Sequence, residues 1–229
     1  DTYQTLKFSE VPIVAASAGL CLGGGAEVLM HCDAVQAHSE SYVGLVEVGV
    51  GIIPAWGGCK EYLGRVKEFG LVSNGPMGAV MKAFEVIGTA QVAKSANQAR
   101  TMGFLGPNDR ITMNRDRLLS DAKKTLIELS KDYSPPEPRT YSLPGPSGKA
   151  ALELAVNDLA LSGKVTPHDI VVTNALAEIL TGGDTDITDI LEEDDILAME
   201  KNAITTLAKN TDTLDRMQHM LETGKPLRN

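Results

Sequence analysis

The sequence predicts an α/β fold at the front of the chain and a mainly helical region behind it. Three observations carry this expectation. The run Val11-Pro-Ile-Val-Ala-Ala-Ser-Ala is apolar apart from Ser17, which marks a strand buried on both faces. Three glycines at 23–25 then punctuate the chain before an apolar helix beginning Ala26-Glu-Val-Leu-Met-His-Cys. From residue 76 onward the apolar residues recur at helical spacing instead.

In chain order, residues 2–10 read as a helix, followed by the buried strand and the glycine turn. Further strands are expected at 34–37 and around 42–45, then a loop over 49–58 containing Pro54, Gly57 and Gly58, and a helix at 59–65. Strand, turn, helix and strand in that order indicate α/β architecture. Helices are expected at 77–89, 93–102 and 115–131. The stretch 134–148, rich in Pro and Gly, reads as an ordered crossing or linker. Four helices follow, at 149–161, 167–180, 192–209 and 213–222. Thr166-Pro167 is a good helix start, with a Thr N-cap and Pro at the first position, and Gly182-Gly183 a good stop. The acidic run Glu192-Glu193-Asp194-Asp195 is expected to form a solvated helix start. The domain division expected is 1–131, a linker at 132–148, and a helical region at 149–229.

The 229 residues, 43% of them apolar, suffice for a proper core. A net charge of -9, with 21 dispersed Lys and Arg, argues against nucleic acid as the main partner. The odd set Cys21, Cys32 and Cys59 lacks CxxC spacing and reads as reduced thiols of a cytoplasmic protein. No apolar run reaches the about 20 residues that span a bilayer, and no membrane partner is expected. The chain begins at Asp1 and opens directly into a helix, which suggests a fragment or a processed product.

A Gly-Gly-Gly turn between strand and helix can be a phosphate cradle, an oxyanion site or simply a tight turn. The nucleotide loop is disfavoured, because no Lys-Ser or Lys-Thr follows and the pattern is not GxGxxG. Glycine permits close approach of a ligand to the backbone, and a helix start offers unpaired N–H groups. Two acids stand out in apolar surroundings: Glu27 in the first turn of the helix, and Glu47 within Val46-Glu47-Val48-Gly49-Val50. Taken singly, Glu27 is a carboxylate complementing a helix dipole and Glu47 a surface acid of a strand or loop. Held together, they would have at least one pKa raised by desolvation and mutual repulsion, so that one could donate a proton while the other acts as a base. His31 and His38 read as core or edge residues; no metal spacing occurs, no metal site is expected, and no GxSxG elbow is present.

Pro12-Ile-Val-Ala-Ala-Ser-Ala-Gly-Leu-Cys-Leu-Gly-Gly-Gly-Ala-Glu-Val, Cys32-Asp33 and Val46-Glu47-Val48-Gly49-Val50-Gly51-Ile52-Ile53-Pro54 resemble the core signature of the crotonase (enoyl-CoA hydratase/isomerase) superfamily. Ser95-Ala-Asn-Gln-Ala-Arg-Thr-Met-Gly-Phe and the closing Met220-Leu-Glu-Thr-Gly-Lys-Pro are similar to later parts of that family. The resemblance implies the second half of a crotonase (ClpP-like) α/β core, followed by helices that form trimers and cover the active site. The Pro-rich segment and the Gly-Gly-Asp-Thr-Asp turn further resemble the C-terminal hydratase domain of bacterial 3-hydroxyacyl-CoA dehydrogenases of fatty-acid β-oxidation.

Carried over by residue, the resemblance places an oxyanion-holding N–H on Gly24 and the two hydratase carboxylates on Glu27 and Glu47. Glu27 would activate the water that attacks the β-carbon, and Glu47 would protonate the α-carbon. Gly23, Ala55 and Trp56 would touch substrate, with Ala55-Trp56 departing from the small residues usual in the family. The implied substrate is an acyl-CoA thioester and the implied state a homo-oligomer. No cofactor is expected on this segment, since NAD would belong to an upstream dehydrogenase domain. The family's first oxyanion donor lies upstream of the core signature, so the chain alone is expected to be inactive or weak. A Δ3-Δ2-enoyl-CoA isomerase, which also uses an acid at the Glu47 position, and a non-catalytic oligomerisation module are the alternatives.

Overall fold

The computed structural model of the protein describes residues 2–72 and 75–229. The chain opens with a short helix, α1 (Thr2–Lys7), and enters strand β1 (Val14–Ser17), then β2 (Leu20–Leu22). Helix α2 (Gly24–Met30) follows the glycine turn, and its Ala26, Leu29 and Met30 are buried beside Glu27. Next come β3 (Ala34–His38), β4 (Tyr42–Gly44) and a 3-10 turn over Glu47–Val50. Helix α3 (Gly58–Glu68) runs through the interior, with nine of its eleven residues buried from Gly58 to Val66. It is followed by α4 (Pro76–Gly88), α5 (Ala96–Met102), β5 (Arg110–Thr112) and α6 (Leu118–Leu129).

The run expected to form a strand buried on both faces gives β1, which is only half-buried, with Ala16 exposed, and lies at the edge of its sheet. β1, β3 and β5 form a parallel sheet in the order β1-β3-β5, with Val14 opposite Ala34 and Gln36 opposite Arg110. β2 and β4 form a second parallel pair, Leu20 opposite Tyr42. Successive parallel strands need a crossover, and α2 supplies it for both pairs. It therefore starts where β2 stops.

The C-terminal region consists of β6 (Thr140–Tyr141), α7 (Gly145–Leu161), α8 (Pro167–Thr181), β7 (Leu191–Glu192), α9 (Glu193–Leu207) and α10 (Thr211–Thr223). β6 and β7 pair antiparallel. At α8 the Thr166 hydroxyl accepts the Asp169 N–H while the Asp169 carboxylate accepts the Thr166 N–H, a reciprocal cap, and Gly182 ends the helix at φ 85°. One continuous core joins α3, α4 and α8 through Tyr62, Val80, Ile87, Leu176 and Ile179.

The structure refines several sequence expectations. The stretch 134–148 is an ordered crossing that contains β6 and the first turn of α7, which begins at Gly145. Its order has a cause: Arg139 donates its N–H to Glu193, and the Tyr141 hydroxyl donates to the Lys60 carbonyl. The acidic start of α9 is not fully solvated, because Glu193 is buried against Lys7 and Lys60. Glu47 stands on the 3-10 turn, neither in a strand nor in an open loop. Cys59 is buried, Cys21 and Cys32 are half-buried, and all three are free thiols. Among the described residues no helix is long and apolar enough to cross a membrane.

Candidate active site

The turn after β2 can be made only by glycine. Gly23 has φ 55°, and a Cβ there would stand 3.1 Å from the Glu47 Oε1. Its N–H donates to the Gly44 carbonyl at 2.8 Å, which fixes the turn to the end of β4. Gly24 opens α2, so its N–H belongs to the first turn and has no acceptor within the helix. A Cβ on Gly24 would lie 3.8 Å from the Tyr3 hydroxyl, 3.9 Å from the Trp56 ring and 4.0 Å from the Glu27 Oε2. The peptide of Gly23 and Gly24 thus has Glu47 beside its first residue and Glu27 beside its second.

Glu27 is 3% exposed. Its Oε1 accepts the N–H groups of Trp56 and Gly58, each at 2.9 Å. Burial raises its pKa, and these two hydrogen bonds oppose the rise by favouring the carboxylate. One oxygen is therefore fixed by the loop, leaving Oε2 on the side of Gly24. Glu47 is treated differently. Its Oε2 is buried with no hydrogen-bond partner among the described residues. Burial first, and the nearby charge of Glu27 second, raise the Glu47 carboxyl to about 7. Two acids share one desolvated place: the Trp56 and Gly58 N–H groups hold one oxygen of Glu27, whereas hydrogen bonds from the Glu47 and Val46 main chain only partly offset the rise at Glu47.

Tyr3 was not singled out by the sequence. α1 brings its ring to 5.6 Å from Trp56, edge to face, and 5.5 Å from His31. Burial, then Glu27, then Glu47 raise the pKa of its hydroxyl. An aromatic on a polar six-residue helix carries no local signal of this role. Trp56 is 62% exposed. With Tyr3, Ala55, Leu197 and Ile204 it lines a cavity of about 760 Å³. His31 is a buried residue whose Nδ1 lies 2.7 Å from the Glu27 carbonyl oxygen, and burial lowers its pKa to about 4. It is therefore neutral at pH 7, and its ring wedges against Gly57, where a Cβ would come within 2.6 Å of Nε2.

Behind the site lies a buried ionic cluster. Lys60, fully buried, pairs with Glu61 and Glu193; Lys7 pairs with the same two acids, and Arg139 reaches Glu61. These cations outweigh the effect of burial and hold Glu61 far below the usual carboxylate range. Glu200 of α9 is also wholly buried and accepts the N–H groups of Gly57 at 2.7 Å and Lys60 at 2.9 Å. Among the described residues no group of three or more His, Cys, Asp or Glu side chains is placed to hold a metal ion.

Parallel strands, a glycine turn at the mouth of a crossover helix and helices packed behind make this an α/β fold with a helical C-terminal region. Residues 1–68 match the family model described as enoyl-CoA hydratase/isomerase. The chain is 40% identical over 231 residues to a probable 3-hydroxyacyl-CoA dehydrogenase of Bacillus subtilis, covering 100% of this chain and 29% of that protein. It is 36% identical over 103 residues to a short-chain-enoyl-CoA hydratase of Clostridium acetobutylicum, covering 45% of this chain and 34% of that protein. The chain thus spans only about a third or less of the length of these relatives. Among solved structures, carnitinyl-CoA hydratase from Mycobacterium avium superposes with a TM-score of 0.57 at 19% identity, over 97% of this chain and 64% of that one. The family match over residues 1–68 and these likenesses support the crotonase superfamily, the enoyl-CoA hydratases and isomerases, and the fold is of that type.

Proposed function

We propose that this chain is an enoyl-CoA hydratase-type domain, adding water across a trans-2-enoyl-CoA thioester in fatty-acid β-oxidation. The observation that carries the reading is the pair of unlike carboxyls beside the Gly23-Gly24 peptide. Glu27, with Oε1 held by two N–H groups, has Oε2 left to hold water and take its proton as the oxygen attacks the β-carbon. The charge that collects on the thioester oxygen is received by the Gly24 N–H. Glu47, raised to about 7, is protonated in a large fraction of molecules at neutral pH and gives its proton to the α-carbon. Water is thereby consumed, one proton passes to Glu27 and one leaves Glu47, and exchange with solvent restores both. Gly23, Ala55 and Trp56 would border the acyl-CoA, with the tail in the adjoining cavity.

The name of the Bacillus relative supports placing the domain beside a dehydrogenase in a longer β-oxidation enzyme, where NAD would be bound outside this chain. In that reading the 229 residues alone hydrate weakly or not at all. Residues 149–229 would form a helical region behind residues 1–131 and the crossing at 132–148. Exposed Leu161 and Leu221, each 88% accessible, suit association into a homo-oligomer of a cytoplasmic enzyme. Light scattering on the intact protein checks that state; a monomer at all concentrations removes it.

The test of function is Glu27→Gln in the intact protein, assayed by crotonyl-CoA hydration and by Δ3-to-Δ2 double-bond shift. Hydration is expected to fall roughly 10²–10⁴-fold. Double-bond shift that survives the change identifies an isomerase working through Glu47 alone. Undiminished hydration rejects Glu27 as the base. An intact protein with neither activity is left with the oligomerisation role.

A further inference from the structure

The start of α3 is held by two acids that come from opposite ends of the chain. Trp56, Gly57, Gly58 and Lys60 present four N–H groups, and the acceptors alternate. Glu27 takes those of Trp56 and Gly58, and Glu200 takes those of Gly57 and Lys60. Glu200 is 0% exposed, and among the described residues no Lys, Arg or His forms an ion pair with it. A carboxyl buried without a paired cation resists ionising: burial pushes that of Glu200 up to about 8, against the pull of its two N–H bonds. Its two main-chain N–H bonds are the compensation on view. Gly57, at φ 100° and with no room for a Cβ beside His31, bends the chain so that alternate N–H groups face α2 and α9.

We propose that Glu200 is a positioning residue for the acid pair: by holding Gly57 and Lys60 it sets the Trp56 and Gly58 N–H groups that orient Glu27. Glu200 does not face the acyl cavity; its neighbour Lys201 does. It acts through the loop. If Glu200 lets go, Trp56 and Gly58 lose their fixed direction, the Glu27 Oε1 loses its two donors, and Oε2 no longer stays opposite Gly24. A displacement of this kind, about 1 Å, costs roughly 10²-fold in rate. The kinetic part of the proposal rests on the hydratase reading above.

The experiment uses Glu200→Gln in the intact protein. Gln keeps the shape but turns one acceptor into an NH2 group, which faces an N–H donor and repels it. Two readouts are taken. Amide hydrogen exchange at Trp56 and Gly58, which bond Glu27 and not Glu200, is expected to accelerate about tenfold along with Gly57 and Lys60. Crotonyl-CoA hydration is expected to lose roughly 10²-fold in kcat with KM within about threefold. A simple helix cap would accelerate Gly57 and Lys60 only; that pattern, or an unchanged kcat, overturns the proposal. If the wild-type protein does not hydrate enoyl-CoA, the function fails, and the exchange at Trp56 and Gly58 still decides the coupling. If the variant does not fold, native-state exchange of the wild type decides: the four amides open with one common denaturant dependence, and separate dependences refute it.

Discussion

Replacing Glu47 by Gln removes a group that ties the stability of the fold to pH, and the effect can be read without any turnover. Burial and the charge of Glu27 raise this carboxyl from 4.5 to about 7 in the folded protein. In the unfolded chain it ionises near its ordinary value. Between the two values the folded state holds a proton that the unfolded state has lost, so stability falls as pH rises. The contribution is fully present below about 4.5 and is gone once pH has passed through about 7. At about 1.36 kcal/mol per pH unit the interval corresponds to about 3 kcal/mol, an upper figure because solvent reaches part of the side chain. The assay is urea unfolding of wild type and Glu47→Gln at pH 4.5 and pH 8. Relative to wild type, the variant is expected to gain roughly 2–3 kcal/mol between those two conditions. The new amide needs its own partners, but that offset is the same at both pH values and cancels. Identical pH dependence in the two proteins would refute the reasoning, since Glu47 would then titrate alike folded and unfolded.

Two further substitutions probe the surroundings. At Gly58 a Cβ would lie 2.6 Å from Pro54 Cβ and 2.7 Å from the Glu27 Oε1, so Gly58→Ala is expected to cost about 1–3 kcal/mol in thermal unfolding and to suppress hydration. Gly49→Ala, where nothing lies within 4 Å, is its control and should stay within about 0.5 kcal/mol. Lys60→Met strips a fully buried ammonium from Glu61 and Glu193, and a loss of about 3 kcal/mol in denaturant unfolding is expected. A melting curve matching wild type would mean that Lys7 and Arg139 satisfy both acids unaided.

Much of this was legible in the residues because its signals are local. The apolar run before the glycines predicts β1, the triple glycine predicts the β2–α2 turn, and Thr166-Pro167 with Gly182 brackets α8 almost to the residue. Glu27 and Glu47 were selected for their apolar neighbours, and the structure brings both to one glycine peptide. What escaped is non-local or too short to carry a period. β5 is three residues, Arg110–Thr112, and exists because β3 offers it an edge. Glu193 and Glu200 sit in sequence that reads as the polar face of a solvated helix. Their burial depends on Lys7, Lys60 and two main-chain N–H groups up to 186 residues away, and no pattern within α9 encodes those partners. Tyr3 escaped for the same reason.

The alternating grip on the start of α3 also bears on the order in which the protein folds. The Gly57–Glu200 bond spans 143 residues, and the Lys7–Glu193 pair spans 186. Loops of that size close late, after local helices and neighbouring strands have formed. The glycine turn and Glu27, neighbours in sequence, can come together early, whereas the loop that holds Glu27 cannot be pinned until α9 has been made and has docked. During synthesis the sheet precedes the working site, and the last helices complete what the first strands began.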